Sequence, residues 1–126
     1  MRRFVLLEHR WNGVHWDFML ETAEGPLRTW AIDAEIVTGM ELPARALPDH
    51  RAAYLDFEGE LSEDRGAVRR VDRGEYELLS WTNDLVKVRL DGAQLFGSVE
   101  LRRAVSGRTE DSGAVTGWLA RYGNFD

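Results

Sequence analysis

Val14-His15-Trp16-Asp17-Phe18-Met19-Leu20-Glu21 changes polarity at nearly every step. Val14, Trp16, Phe18 and Leu20 fall on one face of an extended strand, and His15, Asp17, Met19 and Glu21 on the other. The first face is apolar and belongs against a core. The second sets an imidazole and a carboxylate on neighbouring same-side positions, about 7 Å apart along the strand. With His9 six residues upstream, the region offers three ligand-type side chains, a set that suits a divalent metal. A His and an Asp on the polar face of a strand are also a common solvated pair, and spacing alone leaves both readings open.

Outward from this stretch, the chain is a series of short β-like segments separated by turn signals. Strands are expected over Phe4–Glu8, Leu27–Ile32, Ala53–Leu61, Ala67–Val71, Glu75–Trp81, Leu85–Leu90, Gln94–Arg103 and Val115–Arg121. Asp72-Arg73-Gly74, Thr82-Asn83-Asp84 and Asp91-Gly92 read as turns between them. Asp33–Asp49, with Gly39, Pro43 and Pro48, reads as a long loop with a helical piece near Leu42–Leu47. Val105–Gly113 is polar and expected to be mobile. There is no internal repeat and no linker. The fold class expected is mostly β: a single antiparallel barrel or sandwich with short helical loop segments, spanning residues 1–126.

Asn12-Gly13 is a hairpin signal whose register matters. A two-residue turn would pair Arg10 with His15 and put His9 on the other face, beside Trp16. A five-residue loop, Arg10 to Val14, would set His9 opposite His15. Strand one, Phe4-Val5-Leu6-Leu7, is too uniformly apolar to choose.

Composition narrows the function. The chain has 126 residues, 44% of them hydrophobic, enough for one domain with a core. No cysteine is present, so any metal is held by His and carboxylate, and a disulfide framework is excluded. A net charge of −6 argues against general nucleic-acid affinity and requires any such role to be local. The apolar run after Met1-Arg2-Arg3 is too short for a signal peptide or a membrane span, and a cytoplasmic protein without membrane contact is expected.

Glu8-His9, His15-Trp16-Asp17-Phe18 with Leu20-Glu21, and Trp30-Ala31 resemble the 3′-phosphoesterase domain of bacterial ligase D, an end-joining DNA repair enzyme. The likeness continues through Asp49-His50, Tyr54-x-Asp56-Phe57-Glu58-Gly59, Asp72-Arg73-Gly74, Leu90-x-Gly92-x-x-Leu95-x-Gly97 and Trp118-Leu119. The resemblance implies a small β-barrel that uses a divalent metal, manganese first and zinc second, to remove a 3′-terminal ribonucleoside and then the 3′-phosphate. It implies that His9, His15 and Asp17 hold the metal, that His50 contacts phosphate and that Tyr54 contributes to activity. Its substrate would be a nucleic-acid 3′ end or a small phosphorylated compound, with a separate ligase or polymerase chain as a partner.

The departures from the family pattern fall on phosphate binding. Met19 stands where the family has an arginine, Ala34 where it has a lysine, and Pro48 where it has a glutamate. Upstream basic and acidic residues that assist catalysis in the family have no counterpart here, and the loop at Asp64-Arg65-Gly66 is shorter. Arg10 and Arg51, next to the candidate histidines, are the expected phosphate-binding substitutes; Arg45 reads as a surface charge. Two functions follow: a metal-dependent phosphoesterase weakened by Met19, which Met19→Arg would strengthen if the side chain fits that face, or a metal-binding barrel that docks a repair partner or a nucleic-acid end.

Overall fold

The computed structural model describes residues 2–109 and 113–123. Its strands are β1 (Arg2–Arg10), β2 (Val14–Glu21), β3 (Leu27–Ile32), β4 (Glu41–His50), β5 (Gly59–Glu60), β6 (Ala67–Trp81), β7 (Leu85–Gly92), β8 (Ser98–Thr109) and β9 (Gly113–Gly123). They pair in the order β1-β2-β3-β4-β9-β8-β7-β6-β5, and an antiparallel β1–β6 ladder closes the ring. The result is a closed antiparallel barrel of eight strands, with the short β5 added outside it along β6. Closure removes most of the exposed edge that an open sheet of this size would present.

Alternating side chains fill the interior. Phe4 and Leu6 of β1, Phe18 and Leu20 of β2, and Trp30 and Ile32 of β3 are buried there with Val88, Leu101 and Trp118 from the opposite wall. A second apolar cluster lies on the outer face of β1, β2 and β3. It contains Val5, Leu7, Met19, Leu27, Leu55 and Val68, roofed by Tyr54, Phe57 and Leu61. The middle of β1 is therefore buried on both faces, which is why Phe4 to Leu7 is apolar without a break. Towards the hairpin the cover ends, and the outer face is left to His9, His15 and Asp17.

Three expectations are corrected. The helical piece near Leu42–Leu47 is strand: β4 puts Leu42 and Ala44 into the core at period two and pairs with both β3 and β9. Two prolines and several alanines disguise it. Pro48 sits where the β3–β4 register slips, between Leu27↔His50 and Thr29↔Leu47, so its missing N–H breaks no regular ladder. Ala53–Leu61 is not one strand but a 3-10 turn, Ala52–Leu55, followed by β5. Its alternating apolar residues roof the outer cluster instead of lining a sheet.

Asp72-Arg73-Gly74 is not a turn, because β6 runs straight through it. Gly74 is needed there, since a Cβ would lie 2.1 Å from the Asp91 carbonyl oxygen. The backbone of the polar stretch Val105–Gly113 continues β8 to Thr109 and opens β9 at Gly113; residues 110–112 lie outside the described residues. Among the described residues no helix is long and apolar enough to cross a membrane.

Candidate metal centre

The hairpin fixes the site. His9 pairs with His15 and Arg10 with Val14, leaving Trp11, Asn12 and Gly13 as a three-residue loop. Asn12 (φ 55°) and Gly13 (φ 111°) take the left-handed conformations such a loop requires. Paired residues share a face, so both imidazoles and Asp17 meet on the outer side of the barrel. The register that the sequence left open is thus settled in favour of convergence.

His9 Nδ1 lies 3.2 Å from His15 Nε2, His15 Nε2 lies 3.0 Å from Asp17 Oδ1, and His9 Nδ1 lies 3.6 Å from Asp17 Oδ2. The first two separations match the edges of a coordination polyhedron and the third is slightly longer: metal–ligand bonds of about 2.1 Å place neighbouring donors about 3.0–3.4 Å apart. The other nitrogen of His9 fixes its tautomer. Nε2–H donates to the Arg65 carbonyl oxygen at 2.8 Å, which turns the Nδ1 lone pair towards His15 and Asp17. Asp17 is buried, and its Oδ1, though close to His15, receives no aligned hydrogen bond. Burial pushes the Asp17 carboxyl above the usual carboxylate range, and positive charge on His15, His9 and His50 pulls it only part of the way back. Converging lone pairs beside a buried carboxylate with an unpartnered oxygen fit a divalent cation. His9, His15 and Asp17 are the residues that would hold it.

The remaining candidates divide. His50 ends β4 close enough for its charge to act on Asp17. Its Nδ1–H donates to the Pro48 carbonyl oxygen at 2.9 Å, and its ring meets Tyr54 edge-on at 5.5 Å between centroids. Arg51 reaches over Tyr54, 6.0 Å from its ring. Arg10 does not join them. It shares the opposite face of β1 with Glu8 and is ion-paired to it at 3.1 Å, so its sequence proximity to His9 does not bring it to the triad.

Met19 is also out of reach of a bound phosphate: it is 1% exposed, enclosed by the outer cluster. The expectation that an arginine here would fit the face and restore a phosphate clamp is therefore revised. Met19→Arg places a charge in an apolar enclosure and is expected to cost about 2–3 kcal/mol of stability, whereas Met19→Leu stays within about 1.5 kcal/mol. Urea titrations of the two variants check this.

Sequence reading missed Arg65. Its carbonyl holds His9, and its side chain lines a groove of 280 Å³ with Arg51, Tyr54, Phe57, Glu60 and Ser62. The available signal was Gly66: φ is +81°, and a Cβ would fall 1.9 Å from the Arg10 carbonyl oxygen. This glycine lets the Arg65 turn press against the hairpin. Gly66→Ala is expected to weaken metal affinity about tenfold by displacing the carbonyl that holds His9, as read by calorimetric titration.

The family model of the DNA ligase D 3′-phosphoesterase domain matches residues 7–103. The chain belongs to that family. The matched span contains the whole triad, His50, Tyr54 and Arg65. A search of curated proteins found no match. In this ligase D phosphoesterase-family barrel, His9, His15 and Asp17 form a group that could hold a metal ion, and Met19 is packed away beneath the outer cluster.

Proposed function

We propose that this chain is a divalent-metal-dependent 3′-phosphoesterase that trims nucleic-acid 3′ ends during DNA end repair, removing a terminal ribonucleoside or a 3′-phosphate. Manganese is the favoured ion and zinc the second choice. The observation that carries the reading is the triad itself: three donor atoms turned inward, with the His9 tautomer fixed from behind and one buried carboxylate oxygen, Asp17 Oδ1, left without an aligned hydrogen-bond donor. A divalent ion bound there supplies a Lewis acid for the phosphoryl oxygen and lowers the pKa of a coordinated water.

The chain's own residues do the rest. His50 commits Nδ1–H to Pro48 and leaves Nε2 available; in the imidazolium form, Nε2–H would stabilise charge or give its proton to the leaving oxygen, leaving the neutral ring. Tyr54 packs edge-on against that ring and limits its rotation. Arg51 and Arg65 face one groove, where they can bind phosphate oxygens in place of the missing arginine. Trp11 is 44% exposed and stacked 6.0 Å from the His9 ring, a platform for a terminal base beside the metal ligands. A cytoplasmic setting and a separate ligase or polymerase chain complete the proposal.

The test is a manganese-dependent assay on primer–templates ending in a 3′-phosphate or a single 3′-ribonucleotide. Wild type should process both, and His15→Ala neither. The enclosure of Met19 favours one alternative, a metal-binding barrel that holds a nucleic-acid end or a repair partner without turning over. Manganese binding with no product at saturating metal would select it.

A further inference from the structure

The barrel wall parts on the side of β4 away from β3. The β4–β9 ladder stops at Ala44↔Trp118. Beyond it, β4 runs on to His50 paired only with β3, while β9 pairs only with β8. A groove of 440 Å³ opens at this parting, lined by Arg28, Arg45, Ala46, Arg103, Gly117 and Trp118. Three arginines therefore face one cleft in a chain whose acidic residues outnumber its basic ones, 22 to 16.

The three cations are held differently. The Arg28 guanidinium lies 4.6 Å from the Trp30 ring and 5.7 Å from the Trp118 ring, and among the described residues it has no acidic partner. Stacking fixes its plane and leaves its N–H edge for an anion. Arg103 lies 5.3 Å from the Trp118 ring and reaches Asp84 at 3.2 Å. Arg45, at the lip, reaches Asp33 at 3.1 Å; both side chains are more than half exposed, a pairing that water and salt weaken easily. The lip also lies in line with the metal centre. Asp17 pairs with Ala31 and Ala31 with Arg45, so Asp17 and Arg45 share the outer face two strands apart, about 10 Å.

We propose that this seam is a second binding site, for the sugar–phosphate backbone of the strand whose 3′ end lies at the triad. Arginine planes backed by tryptophan, set at successive points along a cleft, bind phosphates and stack on bases with little regard to sequence. A lone phosphate would need only one of these arginines; a polynucleotide leaving the triad would pass over Ala31 and meet Arg45 first. The inference rests on the 3′-end reading only for which strand enters the groove.

The test is fluorescence anisotropy with a single-stranded DNA of about 12 nucleotides carrying a 3′-phosphate, titrated over a range of salt. An Arg28→Gln/Arg103→Gln double variant is expected to bind about tenfold more weakly. Its log–log salt slope should fall by about 1.4, the equivalent of two phosphate contacts on a single strand. Arg45→Glu changes only the exposed lip, guards against misfolding of the double variant, and is expected to lose about fivefold. Manganese affinity and turnover of a nucleoside 3′-phosphate, which is too short to span both places, should be unchanged in all of them. Wild-type affinity and slope in these variants would overturn the proposal, as would loss of manganese binding in them. If wild type binds the strand through the groove but never turns it over, the phosphoesterase reading fails and the groove stands.

Discussion

Asp17→Asn is expected to lower manganese affinity at least about a hundredfold and to remove 3′-end processing, yet to leave the metal-free protein with a higher Tm than wild type. The two effects share one cause. A side chain that touches the metal should matter at least as much as the groups that hold such ligands from behind, whose loss costs about 10–100-fold, and asparagine supplies a weak neutral donor where a buried carboxylate stood. Without metal, that carboxylate is a burden. Burial raises its pKa, so the folded protein holds the Asp17 proton more tightly than the unfolded chain does. Ionisation therefore costs stability, and the cost grows as pH rises through the ordinary carboxylate range towards neutrality. Asparagine carries no such charge, and its amide N–H can donate to His15 Nε2 across the 3.0 Å that separates the side chains now. Thermal melts of both proteins with and without manganese test this. A variant that melts below metal-free wild type would mean that Asp17 is structural.

Asp72→Ala is expected to be the most damaging substitution for the fold, by about 3–5 kcal/mol, with Tm lower by about 10–20 °C. Asp72 is buried, and its carboxylate collects four backbone N–H groups: Arg73 at 2.8 Å and Ala93 at 2.9 Å on Oδ1, Gln94 at 3.1 Å and Leu95 at 2.8 Å on Oδ2. It closes the turn between β7 and β8 from beneath. Gly92 completes the fit, because a Cβ there would lie 2.3 Å from Asp72 Oδ2 and 2.8 Å from Phe4. Removing the carboxylate orphans these donors at about 1–3 kcal/mol each, less whatever water recovers at the exposed turn. Asp72→Asn keeps one acceptor oxygen and should fall between the two. A urea midpoint for Asp72→Ala within experimental error of wild type would refute this account of the turn.

The sequence could be read furthest where one face is buried and the other is not. The β2 alternation gave both the barrel strand and the His15–Asp17 pair, and the structure keeps both. It could not place His9, because β1 is buried on both faces and carries no period from which a register follows. It misread β4 because proline and alanine are poor strand signals, although Leu42 and Ala44 alternate correctly once paired. Arg65 was beyond reach because its contribution to the triad is a carbonyl, which every residue has, delivered by a turn that only the fold brings near. Arg10 shows how adjacency to His9 in sequence means opposition in a strand, since it lies on the other face of β1 with Glu8. The resemblance pointed to an arginine position at Met19, but the packing of Leu55, Val5 and Leu7 decides what that position can hold.

The central claim is that His9, His15 and Asp17 form one divalent-metal site. Its most direct test is a calorimetric titration of manganese into wild type, His15→Ala and Asp17→Asn near neutral pH. A single saturable site in wild type that is lost in both variants is the predicted result. Equal binding in all three would place the metal elsewhere and contradict the claim.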